Sequence, residues 1–320
     1  MLFLRYISFY KPINTMLNRR NFLKSSGVIG LSALFLPQAE AALFNAANHP
    51  LGVQLYTLFN TIDADVKGSL KKLAAIGYKE IESAFSKQPG YYGMTPKQFA
   101  ALCKSLGLSW KSHHVLGAPF KLPPGAKMPL GADGKPIKLS AVKNLKYNMQ
   151  ELVDQAAEGG VPFLVCANTP TATTAEIKSS IDVLTKTGEA CKKAGLQLCY
   201  HNHDMEFKAV DGKLPYNMLL DEINPELLKM ELDLAWATKA KVDIPAMFAK
   251  HAGRFPLLHV KDITANSVLG PVGSGIVDFK TVFANAAVGG VKHYFVEHDM
   301  PKDAYASLTQ SYKALRAMGL

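Results

Sequence analysis

The stretch Gly195-Leu196-Gln197-Leu198-Cys199-Tyr200-His201-Asn202-His203-Asp204 decides how the rest of the chain is read. A short apolar run entered from a glycine turn has the length of a buried strand. Alternate side chains of a strand share a face. His201 and His203 therefore point the same way where the strand gives out into a loop. Two imidazoles at a strand mouth are poor packing material and good divalent-metal ligands. Hydrogen-bonded histidines are the plainer alternative. Three later strand-like runs also end on ligand-type residues: Asp233, His259 and Glu297.

Outward from this stretch, short apolar runs alternate with amphipathic ones, the pattern of repeated βα units. Strand-like runs fall at 51–56, 78–84, 108–115, 162–167, 196–199, 228–232, 255–260 and 293–296. Helical periodicity covers 63–76, 145–157, 216–223, 244–251, 279–287 and 304–318. Thr95-Pro96 starts a further helix, and Thr173 with Glu176 forms a capping box for another running to Ala194. Glycine recurs just ahead of the strands at Gly77, Gly107, Gly160, Gly195, Gly253 and Gly290, as in a repeated supersecondary unit. Eight strands with intervening helices and no domain-breaking linker predict one α/β domain, a single (β/α)8 TIM barrel over residues 42–320. A doubly wound open sheet is the alternative, but no GxGxxG follows the first strand. The loop at 117–138, rich in proline, glycine and lysine, is long enough to lie over a site.

A chain of 320 residues, 48% hydrophobic and 19% charged, can bury such a core. Residues 1–41 are set apart from it. Asn18-Arg19-Arg20-Asn21-Phe22-Leu23-Lys24 reads as a twin-arginine signal, followed by a weakly apolar segment and the cleavage-type Ala39-Glu40-Ala41. Met16 is an alternative start. The expectation is export, to the periplasm or beyond, with no membrane attachment once the signal is cleaved. An uncleaved anchor is the alternative. The signal carries five Lys/Arg and one acid, so its removal lowers the net charge from +10 to +6. The remaining lysines are scattered, which suits a solvated surface better than nucleic-acid binding. Cys103, Cys166, Cys191 and Cys199 show no CxxC spacing and are read as free thiols.

In a barrel of this kind the working residues sit at the C-terminal strand ends. Those ends read Gln54/Tyr56, Glu82, His113/His114, Asn168, His201/His203, Asp233, His259/Lys261 and Glu297/Asp299. Of the adjacent pair His113/His114, which point oppositely, His114 is assigned to the pocket. Lys261 can face the cavity or simply pair with a carboxylate. Trp236 and Phe85 can stack on a ligand ring or pack in the core. Gly273-Ser274-Gly275 is a glycine turn, or weak evidence for a phosphate site.

LGVQLY (51–56), GYKEIE (77–82), YHNHDMEF (200–207), LD (232–233), HVKD (259–262) and YFVEHD (294–299) together resemble the xylose-isomerase-like TIM barrels. The resemblance covers roughly residues 51–320 and is specific to the superfamily, not to one reaction. It includes sugar and sugar-phosphate isomerases and epimerases, inosose dehydratase, 3-keto-glycoside lyases or hydratases, and apurinic endonucleases.

The resemblance implies one divalent metal, manganese first, with zinc, cobalt or magnesium as alternatives. Carried over by position, its ligands are His201, Asp233, His259 and Glu297, with His203 an alternative and Glu206 its orienting neighbour. His201 departs from the family pattern, which has glutamate there. That leaves Glu297 as the only ligand base of the usual pair, with Lys261 or His114 as general acid or base. Gln54, Tyr56, Glu82, His203 and Trp236 are the expected substrate contacts. The expected partner is a small carbohydrate, with no nucleic acid and with homo-oligomerisation left open. The expectation is an enolising enzyme, a lyase or hydratase of 3-keto-glycosides ahead of an isomerase or epimerase. A binding barrel without turnover is the alternative from another class.

Overall fold

The computed structural model describes residues 49–119 and 142–320. The expected signal at 1–41 and most of the expected loop at 117–138 lie outside them. Eight parallel strands close into a barrel. In chain order they are β1 (Gly52–Gln54), β2 (Glu80–Ser83), β3 (Ser109–Leu116), β4 (Phe163–Asn168), β5 (Gln197–His201), β6 (Leu228–Asp233), β7 (Leu257–Val260) and β10 (His293–Val296). Each pairs with the next, and β10 pairs back to β1, which leaves no open edge. The barrel predicted from the pattern of runs is the one observed.

Local sequence explains the elements. Asp65 accepts from the Gly68 N–H at 2.7 Å and caps the helix Val66–Ile76. Thr95 and Gln98 exchange hydrogen bonds in a capping box ahead of Pro96–Ser105. Thr173 caps Thr174–Lys193, but the Glu176 carboxylate reaches back to the N–H of Ala172, so only half of the expected box forms. At Gly290 the backbone is left-handed (φ +80°) and a Cβ would sit 2.7 Å from Gly253 Cα, so only glycine fits.

The inward-facing residues set the floor of the site. Phe163, Val165, Cys199, Leu257 and Phe295 form an apolar plug inside the barrel. Gly52 admits Phe295 to it, because a Cβ there would lie 2.4 Å from the ring. A larger cluster fills the space between strands and helices. All four cysteines are buried and free. Two elements escaped the periodicity. The helix Leu234–Lys239 begins directly at the end of β6, and a small hairpin, β8 (Asp262–Ile263) with β9 (Leu269–Gly270), follows β7. Both are too short to show a period. Among the described residues, no helix is long and apolar enough to cross a membrane.

Candidate active site at the barrel mouth

Directly above the apolar plug the inward positions turn polar. The parallel register sets His201 of β5 beside Glu231 of β6, and Asp233 of β6 beside His259 of β7. Glu82, Glu231, Asp233 and His259 have no solvent exposure at all. Such groups persist only when paired. Glu231 Oε2 lies 2.6 Å from His114 Nε2, 3.1 Å from His259 Nε2 and 3.2 Å from His201 Nδ1. Glu82 Oε1 bonds His259 Nε2 and stands 3.2 Å from His114 Nε2. The other nitrogen of His259 meets Glu297 at 2.8 Å.

A second centre of charge lies toward the opening. Lys261 Nζ sits 2.6 Å from Glu297, 3.0 Å from Asp299 and 3.1 Å from Asp233. Burial opposes its charge, but the three carboxylates outweigh burial and hold Lys261 protonated beyond the ordinary lysine range. Burial likewise opposes the charge on His114, yet Glu82 and Glu231 raise it to about 9. Burial and the neighbouring imidazoles push His201 well down, so its ring is neutral. Glu297 is held far below the usual carboxylate range by Lys261 and His259, against the effect of burial. Burial raises the Asp299 carboxyl instead.

These groups face a cavity of about 340 Å³ lined by Tyr56, Phe85, His114, His201, His203, Lys261, Glu297 and Asp299, among others. Tyr56, Phe59 and Phe85 form an aromatic wall, with ring centroids 5.3–5.9 Å apart. His113 faces the other way, against Ser83 and Tyr91.

Not every expected contact reaches this space. Gln54 and Glu82, expected to touch substrate, are instead sealed beneath it, the Gln54 amide donating to Glu82 at 2.8 Å. Trp236 turns its face to the ammonium groups of Lys239 and Lys261, 5.0 and 5.4 Å from the ring centre. Glu206 does not touch the His203 ring. It accepts from the His203 backbone N–H at 2.9 Å and from the Tyr200 hydroxyl at 2.7 Å, pinning the turn.

The amides of Gly273 and Gly275 already donate to the buried carboxylate of Asp262, at 2.9 and 2.8 Å. That turn is therefore a structural loop whose anion is internal. These two amides are not free to bind a phosphate.

The donor atoms at the mouth fall into two compact sets among the described residues. One is His114, His201, Glu231 and His259; the other is Asp233, His259 and Glu297. The four expected ligands are thus divided between sets that share His259. Glu231 was missed, although its position two residues before Asp233 on one strand gave it the same inward face.

A metal-capable cluster at the C-terminal mouth of a closed eight-stranded barrel agrees with the comparison to known families, in which residues 70–318 match the xylose isomerase-like TIM barrel. The chain belongs to this family. A sugar phosphate isomerase/epimerase from Parabacteroides distasonis ATCC 8503 is similar at 25% identity and a TM-score of 0.67, over 84% of this chain and 94% of that one. A probable 3-DHS dehydratase from Bacillus anthracis (12% identity, TM-score 0.62, 83% and 98% covered) shares the fold. So does a xylose isomerase-like protein from Mycobacterium smegmatis in complex with magnesium (12%, 0.61, 86% and 98%). No curated protein matches the chain.

Proposed function

We propose that this chain is a divalent-metal-dependent carbohydrate enzyme that enolises an oxidised sugar and eliminates from it, as a 3-keto-glycoside lyase or hydratase. We further propose that it is exported by the twin-arginine route. One observation carries the preference for elimination. Among the described residues, the carboxylates lining the cavity are Glu297 and Asp299, both at the exit of β10, while His114, His201 and His203 also line it. Epimerisation by proton transfer asks for a base on each face of the substrate carbon. Elimination asks for one base and one acid.

The residues divide those roles by charge. A carboxylate at the end of β10 takes the proton from the carbon beside the ketone, and the C–H electron pair enters the enolate. Asp299, raised by burial, is the better acceptor, while Glu297 stays ionised beside Lys261. The pair then expels the leaving oxygen as its C–O bond breaks, and Lys261 or His114, both held protonated, supplies that oxygen with a proton. The aromatic wall of Tyr56, Phe59 and Phe85 suits the apolar face of a sugar ring. His201 Nδ1, Glu231 Oε1 and Asp233 Oδ2 are buried and make no hydrogen bond among the described residues, which fits a bound cation. A divalent ion held there would supply Lewis-acid stabilisation of developing negative charge.

Proton NMR in heavy water tests this with 3-keto-glycosides, free sugars and sugar phosphates. Aglycone release with loss of the adjacent C–H signal is expected. Deuterium entering an otherwise intact substrate rejects elimination in favour of the isomerase or epimerase reading, to which the likeness to the Parabacteroides protein lends support. No change in any sugar would leave a binding barrel. Replacing Arg19 and Arg20 together by lysine should retain the protein inside the cell on fractionation, if the export reading holds.

A further inference from the structure

We infer that the substrate is an uncharged sugar carrying an apolar, aromatic aglycone, and that Phe85 and Met300 hold that aglycone. The inference rests on the elimination reading above and names the class of compound on which that reaction acts.

The cavity is two-sided. Tyr56 and Phe59 follow β1, Phe85 follows β2 and Met300 follows β10, three strands that are neighbours in the barrel. His201, His203 and Lys261 line it from the ends of β5 and β7. A ligand buried between the two must turn hydroxyls one way and carbon the other. Three rings with centres 5.3–5.9 Å apart span more than the face of one six-membered sugar ring. The Tyr56 phenol, raised by burial and by Asp299 and Glu297, stands within the field of the acid–base groups and suits the sugar. Phe59, 4% exposed, and the half-buried Phe85 are left for a second ring.

Met300 carries a separate signal. Its φ is +42°, in the left-handed region that a bulky side chain occupies only at a cost. Of the described non-glycine residues in that region, it is the one that lines the cavity. Met300 is also 46% exposed, so core packing does not account for the conformation. Strain of this kind is kept at ligand clamps. A flexible thioether at the lip of the cavity fits an apolar group of variable shape.

Charge tells against a phosphorylated sugar. Lys261 is the one lysine or arginine among the described lining residues, and three carboxylates already share it at 2.6–3.1 Å. Barrels of this fold often hold a phosphate in the loop after the seventh strand. Here the amides of Ile263, Gly273, Gly275 and Val277 all donate to Asp262, at 2.8–3.3 Å. Asp262 is 1% exposed, so the chain's own carboxylate is the anion of that loop.

The probes are phenyl β-D-glucoside, methyl β-D-glucoside and glucose 6-phosphate, titrated into the purified full chain by calorimetry. The phenyl glucoside is expected to bind about tenfold or more tighter than the methyl glucoside, and glucose 6-phosphate no tighter than the methyl glucoside. Phe85→Ala and Met300→Gly should each cut the phenyl-to-methyl ratio by about threefold or more. Glycine takes the backbone of residue 300 without strain, so Met300→Gly keeps the fold. Equal binding of the two glucosides, tighter binding of glucose 6-phosphate, or no binding of any probe overturns the inference. The heavy-water experiment is read separately. Aglycone release from 3-keto-glycosides without a phenyl preference keeps elimination and sinks the substrate class, and a phenyl preference without such release does the reverse.

Discussion

The ammonium of Lys261 and the carboxylate of Glu297 form a buried ion pair at 2.6 Å, with Lys261 only 1% exposed. Removing one partner of such a pair leaves an uncompensated buried charge, at a cost of about 3–5 kcal/mol. Lys261→Met should therefore lower the unfolding free energy by about that amount in urea. It should also abolish turnover. If stability is unchanged, the carboxylates are being neutralised by something other than Lys261.

Glu206 predicts a different kind of loss. Its carboxylate holds both the Tyr200 hydroxyl and the His203 backbone N–H. Glu206→Ala strands the buried Tyr200 hydroxyl, at about 1–3 kcal/mol, and the half-buried His203 N–H at less. It also frees the turn that carries His203 into the cavity. The expected signature is a raised KM with a smaller change in kcat, measured with whichever substrate the NMR survey finds. Equal falls in kcat and kcat/KM with KM unmoved would instead place its effect on the reacting atoms.

Gly52 tests the barrel floor. A Cβ there meets the Phe295 ring at 2.4 Å and the Tyr294 carbonyl at 2.8 Å. The backbone contact cannot swing aside, so Gly52→Ala should cost about 1–3 kcal/mol by overpacking. Chemical denaturation measures it. A neutral result would mean that the plug of Phe295 and its neighbours is looser than its packing indicates.

Alkaline pH should destabilise the chain. Burial pushes the thiols of Cys103, Cys166 and Cys191 up to about 12, and burial with the nearby Asp299 and Glu297 pushes the Tyr56 phenol up to about 12. Their ordinary values are 9.0 for the thiols and 10.0 for the phenol. Above pH 9 the unfolded chain therefore releases protons that the native chain keeps. Fewer protons bound in the unfolded state means that stability falls as pH rises. Tm should decline steadily from pH 9 to 11. Over the same range below pH 10, the native thiols should resist a disulfide reagent that labels them readily in denaturant. Rapid labelling of native protein at pH 8 would contradict this burial.

Repetition made the barrel readable before any coordinates. Every βα unit carries its own strand run, and six of the eight strands follow a glycine with positive φ, local choices that one residue's neighbours settle. The identity of the mouth residues followed from the same alternation, since a strand's inward positions are every second one. Glu231 obeys the same rule, two residues before Asp233 on one strand, but does not stand at the strand tip. The short helix Leu234–Lys239 is too brief to show a period, and its one local signal is the cap Asp233, whose Oδ1 accepts from the Trp236 N–H at 3.0 Å.

What the amino-acid order alone determined was the barrel and the ligand-type residues carried at its strand ends, because periodicity and strand ends are properties of one segment at a time. What only the tertiary structure decided was how they are shared out. Whether Lys261 or a metal neutralises Asp233, whether Glu82 touches substrate or props His259, and which anion fills the Gly273–Gly275 amides all depend on distances between strands far apart in sequence. Those distances are set by barrel closure and register, and no single segment encodes them.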